Sequence, residues 1–143
     1  MQLVVGAALI SGCAAATPSF APPTSLPSGI MRGAFIDDYG NAFDISDTLF
    51  AQQPHGRFEI VEWHTAEQFV VARNADTNSS DPGFWTRIDW VPLPNMAPYT
   101  WAFCFTAFRA PSRQAARETP APDRSSPRTG CNGYPFSRMK PAL

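Results

Sequence analysis

From residue 30 to residue 108, short apolar and aromatic runs alternate with clusters of Gly, Pro, Asn, Asp and Ser. Runs rich in Phe, Ile, Val and Trp, bounded by turn residues and recurring about every ten residues, form the pattern of a β-meander. It predicts strands over 30–37, 42–51, 57–64, 68–74, 84–91 and 99–108. The punctuation falls at Asp38-Tyr39-Gly40-Asn41, Gln53-Pro54-His55-Gly56 and Thr65-Ala66-Glu67, then in a loop at 75–83 and another marked by Pro92, Pro94 and Pro98. Short consecutive connections favour antiparallel, up-and-down order. Past residue 110 the pattern changes. Ser112 is placed to cap a short helix over 113–118, which Pro120 stops. A polar, proline-rich loop over 120–128 and the tight turn Gly130-Cys131-Asn132-Gly133 then lead to a last strand over 134–139. The expected fold is all-β: an antiparallel up-and-down meander of six to seven strands, a small barrel or sandwich, with one short C-terminal helix.

Alternation assigns the faces. Phe43, Ile45 and Leu49 fall on one side of the second run, and Phe58 and Ile60 on one side of the third. Tyr99, Trp101, Phe103 and Phe105 share a side of the sixth, with Cys104 opposite. That strand is apolar on both sides, so it is expected to be central or covered by the C-terminal segment.

The first 31 residues carry no charged side chain. The apolar run Leu3 to Ile10 is too short to span a membrane, which takes roughly 20 apolar residues, but suits the core of an export signal. Ile10-Ser11-Gly12-Cys13 resembles the lipobox of bacterial lipoproteins, an aliphatic residue and two small ones before a cysteine. The resemblance implies a signal peptide over 1–12 and a diacylglycerol on Cys13, which becomes the new N-terminus. Ala14 after that cysteine is similar to the outer-membrane default. One departure is Met1-Gln2, where signal peptides carry Lys or Arg. Either basic residues lie upstream of a misassigned start, or export is inefficient. Residues 14–29, with four prolines among Ser, Thr and Ala, read as a semi-extended tether reaching on the order of 40–50 Å at most. The organisation expected is thus signal peptide 1–12, lipidated cysteine and tether 13–29, and one β domain over 30–140.

With 143 residues, 44% hydrophobic and 16% charged, the chain has material for one domain and a modest core. Its net charge of −1 gives no general attraction to nucleic acid. The charge is split, however. Residues 32–108 hold four arginines against ten acids, and residues 109–143 hold seven bases against two acids. Either the basic tail packs on an acidic barrel, or it faces anionic lipid or polysaccharide. Setting Cys13 aside leaves Cys104 and Cys131, which can pair once, as exported proteins commonly do. The alternative is two unrelated buried thiols. Closing the 27-position separation contributes roughly 3–4 kcal/mol in the chain-entropy model.

The body also resembles a family of small uncharacterised secreted proteins of myxobacteria and similar bacteria. The residues that carry this are Tyr39-Gly40, Arg73-Asn74, Asn78, Trp85 to Trp90, Cys104, Ala107-Phe108 and Thr129 to Gly133. The resemblance implies no activity or cofactor, and adds weight to the Cys104–Cys131 pair. Lipocalins are similar in meander pattern and tethering, but Gly33-Ala34-Phe35 stands where they carry Gly-x-Trp.

The most distinctive run is Trp85-Thr86-Arg87-Ile88-Asp89-Trp90. As a strand it turns Trp85, Arg87 and Asp89 one way. Arg87 and Asp89 are then able to pair over an aromatic surface. They form either a salt-bridged wall of the barrel or, with Tyr99 and Trp101, a recognition patch for a planar, anionic or sugar ligand. Asp37, Asp38, Asp44 and Asp47 offer carboxylates for glycoside chemistry, though the first two sit where turns favour Asp. Asp76-x-Asn78-x-Ser80 opens like a calcium loop but has Asp81 where Gly is needed and Arg87 where Glu is needed. His64 shares a strand face with Glu62, and His55 lies in a turn. No metal site or cofactor is expected. The function expected is an envelope-anchored lipoprotein with a small binding or structural β domain and no catalysis. Its partners would be the membrane, through Cys13, and a small ligand or envelope protein. The alternatives are a lipocalin-like carrier whose cavity is lined by Tyr99, Trp101, Phe103 and Phe105, and a hydrolase built on Asp37, Asp38 and Asp89.

Overall fold

The structure is a computed structural model that describes residue 12 and residues 29–54 and 56–143. Residues 1–11 and 13–28, which hold most of the expected signal peptide and tether together with Cys13, and His55 lie outside the described residues. Eight antiparallel strands follow one another in sequence order and close into a barrel: β1 Gly33–Asp37, β2 Ala42–Ile45, β3 Leu49–Gln52, β4 Gly56–His64, β5 Phe69–Asn74, β6 Trp85–Pro92, β7 Trp101–Ala110 and β8 Ser137–Pro141. β8 pairs with both β7 and β1, so no sheet edge is left open. The one α-helix among the described residues, α1 (Arg113–Arg117), lies in the long connection from β7 to β8.

The meander is as expected, with one more strand. The run 42–51 is two strands, because Ser46-Asp47-Thr48 turns the chain. Ser46 N–H donates to Leu49 O at 2.9 Å, and Ser46 Oγ accepts from Thr48 N–H. The reversal also corrects the face assignment. Phe43 and Ile45 point inward, but Phe50 takes the inner position and Leu49 is half-buried outside the core. The last strand starts at Ser137 rather than residue 134, since Cys131 to Tyr134 form their own hairpin with left-handed Asn132 and Gly133.

Aromatic side chains fill the barrel. Phe50 is fully buried, and its ring meets Phe43 at 5.6 Å, Phe103 at 5.3 Å and Phe105 at 5.9 Å. Phe35 packs edge-on against Trp101 at 5.2 Å. Met31, in the 3-10 turn Gly29–Met31, is fully buried in the same cluster. A register shift between Ile60 and Glu62 turns Trp63 into the core and leaves Glu62 and His64 outside it. β7 is buried on both sides, as its composition predicts. Trp101 and Phe103 face inward, while Ala102 and Cys104 are covered by Phe136. Cys104 and Cys131 form a disulfide with Cα atoms 5.6 Å apart.

Candidate functional site

Outside the barrel, the long connection lies over β4, β5 and β6 and encloses a set of charges. Arg87 and Asp89 on β6 make a two-pronged ion pair, Nε to Oδ2 at 2.9 Å and Nη2 to Oδ1 at 3.1 Å. The Arg87 guanidinium lies 3.8 Å over the Phe69 ring. Its Nη1 donates to the carbonyls of Thr119 and Arg117. Asp89, with no exposed surface, also accepts from Thr106 Oγ1 and from Arg124 Nη2 at 2.5 Å. The predicted pair over an aromatic ring is thus present, and it is a sealed wall rather than an open patch. Trp85 packs with Phe69, Val71 and Ala110 against Ala116 of α1.

A second knot forms next to it. Glu62 on β4 accepts from Arg113 and Arg117 of α1, and from His64 Nε2 at 2.7 Å. Burial pushes the Glu62 carboxyl up. The hydrogen bonds from Arg117, His64 and Arg113 outweigh that and hold it at about 2, below its ordinary 4.5. His64 stacks flat on Phe69 at 4.2 Å. With Arg109–Asp81 and Arg138–Asp38, five of the seven tail bases pair with acids of the first charge block. The tail packs on an acidic barrel.

The other candidate residues separate. Trp101 is an interior side chain. Tyr99 falls in the loop before β7, and its ring lies 4.5 Å under Arg138, so it lines no lumen with Trp101 and Phe103. Asp37 accepts from the N–H groups of Tyr39 and Asn41 at the β1–β2 turn, away from the partners of Asp89. Asp76 binds Arg73, and Asn78 bonds both N–H and O of Arg57 at 2.9 Å, so the calcium-like residues brace loops. Among the described residues, no group of three or more His, Cys, Asp or Glu is placed to hold a metal.

On the outer surface lies a groove of ≈ 850 Å³ between β6–β7 and the loop over 124–136. Val91, Leu93, Met96 and Phe136 line it with Arg124, Arg128 and Arg138. Gly130 keeps the loop closed: a Cβ there would sit 1.8 Å from Asp123 O. The groove is not legible in the pattern of the chain. Its only trace in the chain is a set of apolar residues between prolines, Pro92-Leu93-Pro94 and Met96, where a loop is otherwise expected to be polar. A smaller depression of ≈ 280 Å³ is lined by Gln52, Asn78 and Ser79 among others.

Together these features define a closed, eight-stranded antiparallel barrel with a packed interior and a binding-sized groove on its wall. No protein-family model, curated protein or solved structure matches the chain.

Proposed function

We propose that this protein is an exported, lipid-anchored envelope lipoprotein whose barrel is a rigid scaffold and whose ligand site is the external groove. One observation carries the binding reading. The lumen is occupied by touching aromatic rings, whereas the wall holds a groove of ≈ 850 Å³, within the roughly 300–1,000 Å³ of small-ligand sites. Anchoring is supported by Ile10-Ser11-Gly12-Cys13 and the proline-rich residues after it. The Cys104–Cys131 disulfide fits an oxidising compartment. A carrier of the lumenal kind needs space that Trp101 and Phe103 occupy. A hydrolase on Asp37, Asp38 and Asp89 needs carboxylates free to face a substrate, and Asp37 and Asp89 are bound up in turn and ion-pair contacts.

Two measurements test this. In a bacterial host, the mature N-terminus is expected to carry a diacylglyceryl mass on Cys13, and Cys13→Ser to release the protein from the membrane fraction. An unmodified, full-length Cys13 would refute anchoring. Titration with the neutral apolar probe N-phenyl-1-naphthylamine is expected to move the methyl NMR signals of Val91, Leu93 and Met96. Movement of the interior methyls of Met31, Ile60, Ile88 and Met139 instead would return the ligand to the lumen.

A further inference from the structure

We infer that the groove takes a single-chain amphiphile as a monomer, with its tail along Val91, Leu93 and Met96 and an anionic head on Arg128. This rests on the groove reading above and adds the ligand class. The argument is an account of hydrogen-bonding capacity. Pro92, Pro94, Pro127 and Pro135 line the groove and have no N–H to offer. The N–H of Leu93 goes to Thr100 O, that of Phe136 to Pro127 O, and that of Ser126 to Asp123 O. The barrel is closed, so no strand edge is available to an extended peptide. A peptide or sugar lying here would leave its polar groups against proline rings, at about 1–3 kcal/mol for each buried one.

Two groups stand outside this accounting: Asp38 Oδ1, a buried oxygen with no hydrogen-bond partner among the described residues, and one cation, Arg128. Arg124 is held by Asp89 and Arg138 by Asp38. Among the described residues the Arg128 side chain has no hydrogen-bond or ion-pair partner, and it is exposed at the groove. The lining holds three arginines against one aspartate, so its surplus is positive. One cationic point beside an apolar trough complements one anionic head on an apolar tail, and a guanidinium suits a phosphate or carboxylate.

The test is a titration of the labelled full chain with decyl phosphate below its micelle concentration, with decyl maltoside and inorganic phosphate in parallel. Decyl phosphate is expected to shift the Val91, Leu93 and Met96 methyls and to bind about tenfold more tightly than decyl maltoside. Arg128→Gln is expected to erase that difference, and inorganic phosphate alone to leave the methyls unmoved. Met96→Ser, at an exposed position, is expected to weaken both decyl ligands. Equal affinity for the two, or indifference to Arg128→Gln, overturns the anionic head while leaving the groove standing. Movement of none of the three methyls with either ligand overturns both. Binding to phosphatidylglycerol vesicles without any response to decyl phosphate overturns the monomeric ligand.

Discussion

Where the segment between β7 and β8 covers it, the wall formed by β4, β5 and β6 is buried on both of its faces, by opposite means. Its inner face carries Ile60, Trp63, Val70, Ile88 and Trp90, and contributes no charge to the lumen. Its outer face carries Glu62, His64, Arg87 and Asp89, each at most 9% exposed. Inner burial follows from strand alternation and closure of the barrel, and needs nothing else. Outer burial exists only where the segment between β7 and β8 lies over the sheet. The difference teaches that arginines direct this segment. Arg113, Arg117 and Arg124 each meet a carboxylate that the barrel has already fixed in place, while Ala116 supplies the apolar contact. Buried ion pairs add little stability relative to apolar packing of the same shape, but a broken one is costly. Their contribution here is to set where the segment docks.

The largest expected effect breaks that outer face at its centre. Asp89→Ala leaves Arg87, at 5% exposed, without its counter-ion. It is expected to cost about 3–5 kcal/mol in urea unfolding. Replacing the pair together, Arg87→Met with Asp89→Leu, is expected to recover only part of this, since the contact with Phe69 remains but Arg124 loses its carboxylate and the carbonyls of Arg117 and Thr119 lose their donor. A cost below about 1 kcal/mol for Asp89→Ala would mean that the outer face opens without consequence, and the two faces would not be equivalent in burial at all.

Acid addresses the second knot. The folded-state pKa of Glu62 is lowered to about 2 from 4.5, so its contribution is complete above pH 4.5 and is lost as the pH falls towards 2. The loss is expected to reach roughly 2–3 kcal/mol, and Glu62→Gln to flatten that limb of the stability profile. The inner face has no titrating group, so a variant such as Ile88→Val is expected to shift the whole profile without changing its slope.

The two faces also differ in how far the chain alone reveals them. Alternation exposes the inner face directly: Phe43, Phe58, Ile60, Trp101 and Phe103 follow from period-two patterning. Leu49 reads as inward from the chain alone because Ser46-Asp47-Thr48 keeps the run compact enough to imitate one longer strand. On the outer face, Arg87 and Asp89 are two residues apart on one strand, so their pairing is local and legible. The Glu62 contacts with Arg113 and Arg117 span more than fifty positions, and only the split of charge between the two parts of the chain hints at them. The groove is less legible still, because it is made between loops whose shape depends on irregular backbone. Gly130 tolerates no Cβ for a tertiary reason, and nothing local announces it.

The smallest effect sharpens the comparison furthest, because it asks whether the outer cover opens by itself. α1 has five residues, too few to persist as an isolated helix. Ser112 Oγ accepts from Ala115 N–H at 3.0 Å and closes its first turn. Ser112→Ala is expected to destabilise the turn by about 1 kcal/mol. If the cover is a unit distinct from the barrel, amide exchange at Ala116 and Glu118, whose N–H groups bond Ser112 O and Gln114 O, rises about fivefold, while exchange at Val70 and Ile88 stays unchanged. If all four amides accelerate together, the cover and the barrel unfold as one. The arginine contacts would then be part of the barrel's own cooperativity rather than a clasp laid over it.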